Sequence, residues 1–444
     1  MQEVNNSKED FSDIVKKTLG FTDEDIEIIK KYLDMRSEEV KGEGTFGIVY
    51  DITQYCNLNC IHCCVNAKFV SNKEKIKFET TYEQSCLIID QTHDYIKENK
   101  INKYFLMFGG GEPFLHPGSP EILQYASEIL GSEHIGVNTN GTLISLEDIR
   151  FIKKYMSIIE ISIDGFEEHH NRWRDPLRLS KIDNPFRKSF QLAKHLASDN
   201  ELSKLLEVSA IATKDNIQQL AKFMEYLYKN GIKTASIHRC IPVGRMANYM
   251  NKVPNLHDYG YLLLDIAKLR NRFSDFKIHI HHSLESIYST LLLGYDIHLS
   301  RMLGCSKRHS IGIDWNGNVF FDPWAIVPPY NKLNAGNILK KDLEEIIHNP
   351  KSPIQIADRF IRRNTRCEQC KLACSGGMRF SALADYIGDL TKVMSKITIA
   401  YLIFGLSQMD PACPLYSEYP KSADERGDIN VFPHEKQKTM GKLR

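Results

Sequence analysis

The sequence lacks the segments that direct a protein into a membrane or out of the cell. Its first ten residues are polar and acidic, whereas a signal peptide begins with basic residues followed by an apolar run. The longest apolar run, residues 397–406, has about half of the ~20 residues that a membrane-spanning helix needs. We therefore expect a cytoplasmic protein that does not bind a membrane.

The sequence also lacks an excess of either charge. Lys and Arg together number 57, and Asp and Glu together number 56, so the formal net charge is +1. A chain balanced in this way has no overall field that would attract nucleic acid or an anionic lipid surface. We expect no nucleic-acid partner, and a substrate must be recognised by a local site.

Nothing in the sequence suggests a disulfide framework, although it contains 11 cysteines. Such frameworks belong to small secreted domains that lack a sufficient core, whereas 444 residues, 42% of them hydrophobic, can bury a large one. Most of the cysteines fall into two groups, with Cys56, Cys60, Cys63 and Cys64 in the first and Cys367, Cys370, Cys374 and Cys413 in the second. Metal binding or redox chemistry is therefore the expected role of both groups.

Between the two groups, short apolar runs alternate with helical patterns, as they do in consecutive βα units around a parallel sheet. Six strands are predicted, at residues 47–52, 104–108, 134–138, 158–163, 207–212 and 234–238. The first cysteine group follows the first strand, and Gly-rich or polar segments follow the next three. Because the active-site residues of such sheets gather at the carboxyl ends of the strands, we expect these segments to share one face.

Capping chemistry predicts where two of the intervening helices begin. Thr80 and Glu83 have the spacing of a capping box, as do Ser145 and Asp148. In such a box each side chain accepts a hydrogen bond from a free backbone N–H of the first helical turn. The predicted fold class is accordingly α/β.

The first cysteine group has the spacing C-x3-C-x2-C from Cys56 to Cys63. Three thiolates at a strand end could bind zinc in a site that lacks a fourth ligand. They could also hold a 4Fe-4S cluster that leaves one iron open for a substrate or cofactor. Cys64 is less suitable as a ligand because adjacent loop residues usually point in different directions, and we expect it to be buried as a small apolar residue.

This motif, with His62 just before its third cysteine, resembles the cluster loop of the radical S-adenosylmethionine superfamily. The resemblance implies a partial (β/α)6 TIM-like barrel in which Cys56, Cys60 and Cys63 hold a catalytic 4Fe-4S cluster. It also implies that S-adenosylmethionine binds the open iron and is cleaved to methionine and a 5'-deoxyadenosyl radical, which abstracts a hydrogen atom from the substrate. A flavodoxin or ferredoxin type of electron donor is implied as well.

Other motifs of the family follow in order along the chain. Residues 108–113, 138–142 and 161–165 resemble the elements after its second, third and fourth strands. The resemblance implies that the cofactor is bound by His62, Gly110, Gly111, Glu112, Asn140, Ser162 and Arg172. Arg174 and Arg187 are alternatives to Arg172 as the partner of the cofactor carboxylate.

Residues 238–245 resemble the segment that ends the sixth strand of the family barrel. This resemblance places Cys240 near the mouth of the barrel, where it is a candidate catalytic donor of a hydrogen atom. The alternative is inert packing, because an unligated cysteine commonly behaves as a small apolar residue.

The second cysteine group resembles the SPASM/twitch-like extension of the superfamily. The resemblance implies one auxiliary 4Fe-4S cluster, with zinc as the alternative, held by Cys367, Cys370, Cys374 and Cys413. Where the family pattern has two further cysteines, this sequence has Asp322 and Met378, and a thioether binds iron poorly. We therefore expect two clusters in total. Whether Cys305 and Asp322 complete a partial cluster stays open.

Asp322 is a candidate catalytic base, because the family pattern places this position beside the substrate cavity. Pro323 follows it, however, and an Asp-Pro pair also favours a turn. The sequence leaves both roles open.

Three functions remain open. Many members with this extension modify peptides by crosslinking, epimerisation or oxidation, and this is the function that we favour. Relatives with a single auxiliary cluster act on small molecules such as aminoglycoside-type sugars. The third is a zinc-binding protein without catalysis. The ~45 residues before the barrel are fewer than the ~80 that a leader-peptide recognition domain requires, which weakens the peptide assignment.

The resemblance covers residues 46–418 and implies the domain boundaries. They are an N-terminal helical appendage at 1–45, the partial barrel at 46–250, a helical and strand connection at 251–300, the iron-sulfur SPASM/twitch-like domain at 301–420 and a flexible tail at 421–444.

Overall fold

The computed structural model describes residues 11–40, 45–70, 79–241, 243–295, 297, 310–327, 331 and 334–354. Cys305, Met378, the second cysteine group and the predicted tail lie outside these ranges.

The described part of the chain is built on a ten-stranded sheet, with a further pair of short strands beside it. The strands are β1 (Phe46–Thr53), β2 (Tyr55–Cys56), β3 (Lys68–Phe69), β4 (Tyr104–Gly110), β5 (Ile135–Thr139), β6 (Ile158–Ser162), β7 (Leu206–Ala212), β8 (Thr234–Arg239), β9 (Lys277–Ile280), β10 (Ser310–Ile313), β11 (Asn318–Phe320) and β12 (Gly336–Asn337). The spatial order in the large sheet is β12-β11-β10-β1-β4-β5-β6-β7-β8-β9.

All six predicted strands are present, each within two residues of its predicted ends, as β1, β4, β5, β6, β7 and β8. They are parallel neighbours in the order of the sequence. β9 adds a parallel strand at one edge, while β10 adds one at the other and leads into the antiparallel β11 and β12. The structure therefore confirms an α/β fold in which the carboxyl ends of the six strands lie on one side.

Eleven α-helices are described, most of them between consecutive strands. They are α1 (Ser12–Leu19), α2 (Asp23–Glu39), α3 (Tyr82–Glu98), α4 (Ser119–Leu130), α5 (Leu146–Tyr155), α6 (Glu167–Arg174), α7 (Pro185–Ala197), α8 (Ile217–Lys229), α9 (Leu256–Arg272), α10 (His282–Leu293) and α11 (Leu343–His348). Across the described ranges, none of these helices is both long enough and apolar enough to cross a membrane.

One of the two predicted capping boxes is confirmed and the other is displaced by one residue. Ser145 and Asp148 cap α5 as predicted. α3 is capped by Thr81 and Gln84 instead, because the hydroxyl of Thr80 donates a hydrogen bond to the backbone carbonyl of Trp315. This tertiary contact cannot be read from the local sequence.

The two N-terminal helices pack on the barrel as part of its core. α2 buries Ile29, Tyr32 and Leu33 against α9 and α10. The guanidinium of Arg36 lies 2.9 Å from the carboxylate of Glu285 in α10, and the Tyr32 hydroxyl donates to the same carboxylate at 2.6 Å. Buried charges are stable only when paired in this way, so these contacts fix α2 in one position.

Candidate active site

A cavity of about 330 Å³ lies at the carboxyl ends of the strands. It is lined by segments that follow β1, β4, β5, β6 and β8. The residues predicted from the sequence that reach its wall are Cys56, Cys60, His62, Cys63, Gly110, Gly111, Asn140 and Ser162. The topology of parallel strands has thus collected motifs that are far apart in the sequence, as predicted.

The cysteines of the C-x3-C-x2-C motif, Cys56, Cys60 and Cys63, line the cavity from the loop after β1. This loop is called the cluster loop below. Cys56 ends β2, and its Sγ accepts a hydrogen bond from the backbone N–H of Leu58 at 3.4 Å. The Sγ of Cys63 accepts one from the N–H of Ala67 at 3.3 Å. Burial raises the pKa of the Cys60 thiol to about 12, and a metal bound there would displace its proton.

The thiols of Cys56, Cys60 and Cys63 are the candidate ligands for a metal centre in this cavity. Over the ranges that the structure describes, no three His, Cys, Asp or Glu side chains converge closely enough to hold one metal ion. The three thiols instead share the wall of one cavity, and in an iron-sulfur cluster each thiolate binds a different iron. A lone zinc ion in this group stays the alternative that the sequence left open.

Cys64 also lines the cavity and is partly buried against the hydrophobic core, so it is less enclosed than the buried apolar residue that the sequence predicted. Its thiol is adjacent to that of Cys63 along the chain. The pair offers a matched comparison between a proposed ligand and its neighbour.

Gly110 and Gly111 allow the end of β4 to approach the start of the cluster loop. A Cβ at Gly110 would collide with the carbonyl oxygen of Thr53, and one at Gly111 with that of Tyr55. Gly110 also has a φ of 109°, which L residues rarely adopt. The sequence attributed these glycines to contact with the cofactor, and the structure adds that backbone packing requires them.

Glu112 connects the end of β4 to the end of β5. Its carboxylate accepts hydrogen bonds from the Thr139 hydroxyl at 2.8 Å, the Asn140 N–H at 2.8 Å and the Phe114 N–H at 3.2 Å. Burial raises its pKa to about 7 although these donors oppose the shift. Glu112 is not among the residues that line the cavity, so its observed role is to position Asn140.

Asn140 and Ser162 present polar side chains to the cavity. The Asn140 Nδ2 donates a hydrogen bond to the Asn57 side chain at 2.9 Å and lies 3.9 Å from the Sγ of Cys56. The Ser162 hydroxyl donates to the side chain of Asn138 at 3.3 Å. Asn140 is thus held next to the cluster loop, and Ser162 is held at the carboxyl end of β6.

Asp164 joins three parts of the site, although the sequence gave it no role of its own. Its carboxylate accepts hydrogen bonds from Arg174 at 2.6 and 2.9 Å and from the N–H of Ile211 at 3.1 Å. The Nε2 of His62, in the cluster loop, lies 3.2 Å away. Burial alone would raise the pKa of Asp164, but Arg174 and His62 outweigh it and hold the pKa well below its usual value.

Arg174, not Arg172, reaches the cavity, which corrects the sequence prediction. Arg174 lines the wall with its side chain only 9% exposed. The Arg172 side chain is 56% exposed and faces Asp215 at 3.4 Å. With 3.6 residues per helical turn, positions two apart in α6 lie on nearly opposite sides of the helix. Arg187 is exposed and pairs with Glu167.

Cys240 does not line the cavity, contrary to the role of hydrogen-atom donor considered for it. It is buried in a small apolar cluster with Trp173 and Met246. Burial raises the pKa of its thiol to about 12. The structure therefore favours the alternative of inert packing.

Asp322 lies beside the cavity without being part of its described lining, which includes the next residue, Pro323. The backbone carbonyl of Asp322 accepts a hydrogen bond from the N–H of Ala325 at 3.0 Å, in a short 3-10 turn. This matches the turn chemistry predicted from the Asp-Pro pair. A catalytic role for its carboxylate stays a prediction.

Arg245 was not singled out from the sequence, although it lies in the segment after β8. Its Nε donates to the carbonyl of Cys60 at 2.7 Å and its Nη1 to that of Ala67 at 2.6 Å. Its backbone N–H donates to the carbonyl of Cys63 at 3.0 Å. The Nη2 is buried and has no hydrogen-bond partner within the described ranges. Arg245 thus holds the cluster loop and leaves one donor at a cavity suited to an anionic or sulfur-rich group.

Sequence comparisons find a known domain in the part of the chain that contains this site. A family model for the radical SAM superfamily matches residues 50–245. The mycofactocin maturase MftC of Mycobacterium tuberculosis (strain ATCC 25618 / H37Rv) is 27% identical over 298 residues, which are 66% of this chain and 67% of the relative. The Fe-coproporphyrin III synthase of Methanosarcina barkeri (strain Fusaro / DSM 804) is 23% identical over 373 residues, or 76% of this chain and 84% of the relative.

Solved structures share the fold. Streptococcus suis SuiB bound to S-adenosylmethionine matches with a TM-score of 0.58 at 18% identity, over 84% of this chain and 77% of that chain. Native anSMEcpe with bound AdoMet matches with a TM-score of 0.59 at 19% identity, over 86% and 97%. The residues matched by the family model contain the cluster loop and the strands β4 to β8. Residues 50–245 of this chain therefore form a radical SAM domain.

Proposed function

We propose that this protein is a radical SAM enzyme that modifies a peptide. The observation that carries the proposal is the cavity in which the thiols of Cys56, Cys60 and Cys63 face the ends of the barrel strands. When bound there, a 4Fe-4S cluster and S-adenosylmethionine supply a 5'-deoxyadenosyl radical that abstracts a hydrogen atom from the substrate.

The residues around the thiols have proposed roles in binding the cofactor. Gly110, Gly111, Asn140 and Ser162 line the space beside the cluster loop and would contact S-adenosylmethionine. Arg174 replaces Arg172 as the proposed partner of the cofactor carboxylate, because it is the buried arginine of α6. A flavodoxin or ferredoxin type of electron donor would reduce the cluster.

The peptide assignment rests on proteins of the same fold. SuiB has been solved bound to precursor peptide SuiA, and it matches this chain with a TM-score of 0.57. anSMEcpe has been solved with the Cp18Cys peptide and matches with a TM-score of 0.58. MftC, which is similar in sequence, is a maturase by name. These likenesses support a peptide as the substrate class and leave the bond that is changed unspecified.

Co-expression should reveal the substrate. The gene is expressed in a bacterial host with each short open reading frame that lies beside it, and the peptides are analysed by mass spectrometry. We expect one peptide to lose hydrogen atoms, or to gain deuterium from D2O if a residue is epimerised. The same host carrying a Cys60→Ala variant is the control, since it lacks a cluster ligand. Peptides that are identical in both hosts would contradict the peptide assignment.

Iron analysis should show the auxiliary cluster, whose proposed ligands lie outside the described residues as Cys367, Cys370, Cys374 and Cys413. Four cysteines hold one 4Fe-4S cluster, so we expect about eight irons per reconstituted chain. A Cys56→Ala, Cys60→Ala, Cys63→Ala triple variant should keep about four. If the triple variant contains zinc instead of these four irons, the second cysteine group is a zinc site. About twelve irons in the wild type would indicate a third cluster.

A small-molecule substrate is the second candidate. It is favoured by the Methanosarcina barkeri Fe-coproporphyrin III synthase, which matches this chain over 84% of its own length. A tetrapyrrole has strong visible absorption that differs from that of iron-sulfur clusters. If porphyrin added to the reconstituted enzyme is consumed with formation of 5'-deoxyadenosine, while no peptide changes in the co-expression experiment, the second candidate replaces the first.

A further inference from the structure

Asp51 is a buried carboxyl group that faces the cavity from the middle of the sheet. It lies in β1, where Ile48, Tyr50 and Ile52 are buried in the hydrophobic core while Val49 and Asp51 line the cavity. Only 4% of the residue is exposed. An acid in such a place costs free energy unless it is neutral or paired. The site assembled above gives Asp51 no partner and no role.

Glycines on the neighbouring strand make room for this carboxyl group. Asp51 and Gly109 are paired in the ladder between β1 and β4. A Cβ at Gly109 would lie 2.9 Å from the Oδ1 of Asp51, and one at Gly110 would lie 3.2 Å from its Cβ. Any side chain at residue 109 would therefore compete with the carboxyl group for the same part of the cavity wall.

The charges around Asp51 favour its neutral form. Burial, and after it the negative charge of Asp314 in the turn between β10 and β11, raise the pKa of Asp51 to about 8. Asp314 itself accepts hydrogen bonds from Asn316 and Asn318. From the cluster loop the group that faces Asp51 is the Cys64 thiol, whose pKa is raised by burial and by Cys63 and Asp51.

Cations are present in the same cavity, but none of them compensates this carboxyl group. Arg174, Arg239 and Arg245 also line the cavity. Arg174 is bound to Asp164, and two of the side-chain nitrogens of Arg245 are bound to carbonyls of the cluster loop. Among the described residues, no cation contributes to the pKa of Asp51 and none forms an ion pair with it.

We propose that Asp51 is a substrate-orienting residue whose neutral carboxyl group donates a hydrogen bond to a carbonyl oxygen of the bound peptide. The proposal rests on the peptide-modifying function proposed above. A neutral carboxyl group both donates and accepts, which matches the C=O and N–H of a peptide group, whereas a carboxylate only accepts. Apolar sites in enzymes keep carboxylic acids neutral for this purpose.

The proposal predicts how product formation depends on pH. The pKa of Asp51 is raised, so the donor is present at neutral pH and is lost as the pH rises through about 8. At limiting peptide, wild-type product formation should fall about tenfold between about pH 7 and about pH 9. Asp51→Asn keeps the shape and an N–H donor but cannot titrate, so its rate should stay level over this range. Asp51→Val, which has no donor, should raise KM for the peptide at every pH.

A second variant tests the electrostatic cause. Asp314→Asn removes a negative charge beside Asp51 and should therefore lower the pKa of Asp51. Product formation by this variant should then fall at a lower pH than that of the wild type. Cleavage of S-adenosylmethionine without peptide and the cofactor Kd are measured in parallel for the wild type and Asp51→Asn. A weaker cofactor Kd in Asp51→Asn would assign the carboxyl group to the cofactor and overturn the proposal. A pH profile shared by wild type and Asp51→Asn would overturn it as well.

Thermal unfolding of the reconstituted protein tests the neutral state without any substrate. Because the folded-state pKa is raised, the wild type should lose stability relative to Asp51→Asn as the pH rises from about 4 to about 8. A constant difference in Tm would show an ordinary carboxylate and overturn the proposal. A wild type that cleaves S-adenosylmethionine but changes no peptide would instead overturn the peptide substrate, and the thermal comparison tells these two failures apart.

Discussion

Replacement of Cys63 by Ala should abolish reductive cleavage of S-adenosylmethionine, whereas replacement of the adjacent Cys64 should not. Both thiols line the same cavity, but only Cys63 belongs to the C-x3-C-x2-C spacing. Loss of one of three protein ligands destabilises the cluster that delivers the electron. Cys64→Ala removes only a partly buried sulfur, so most of the activity should remain.

The measurement is the 5'-deoxyadenosine formed by anaerobically reconstituted, chemically reduced protein, with iron content determined on the same samples. Cys56→Ala and Cys60→Ala should behave like Cys63→Ala. If Cys64→Ala is as inactive as Cys63→Ala and has lost the same amount of iron, the ligand set proposed here is wrong. A Cys63→Ala variant that cleaves the cofactor at the wild-type rate would refute the catalytic assignment itself.

Replacement of Arg174 by Met should destabilise the folded protein by about 3–5 kcal/mol, because it leaves a buried carboxylate without its partner. Asp164 is 1% exposed and holds Arg174 through two hydrogen bonds. Arg172→Met, two residues away on the same helix, changes an exposed side chain and should alter stability by no more than about 0.5 kcal/mol. Denaturant unfolding of both variants measures this difference.

Two further results would support the unpaired Asp164 carboxylate as the cause of this destabilisation. Adding Asp164→Asn to Arg174→Met should recover part of the lost stability, since the double variant no longer buries an unpaired charge. Because the pKa of Asp164 is lowered, the stability due to this pair should be complete above about pH 4 and decline as the pH falls further. Equal destabilisation by Arg172→Met and Arg174→Met would contradict the assignment of Arg174 to the cavity.

The barrel strands and the cluster loop could be predicted because their signals are local. Each strand is a short apolar run between turn residues, and each appeared within two residues of its predicted ends. The spacing of Cys56, Cys60 and Cys63 is itself a property of eight consecutive residues. The position of these motifs at one end of the sheet then follows from parallel strand order, which the alternation of strands and helices implies.

The sequence by itself determined the α/β fold class, the radical SAM domain and the motif whose three cysteines line the cavity. Only the tertiary structure decided which arginine lies beside Asp164, that Cys240 is packed away from the cavity, and that Glu112 binds the β5 end. It also decided that Asp51 is a buried acid opposite Asp314. The physical reason is that burial and charge at a site are set by side chains from strands that are distant in the sequence. A local sequence pattern therefore does not predict which neighbours a side chain will have.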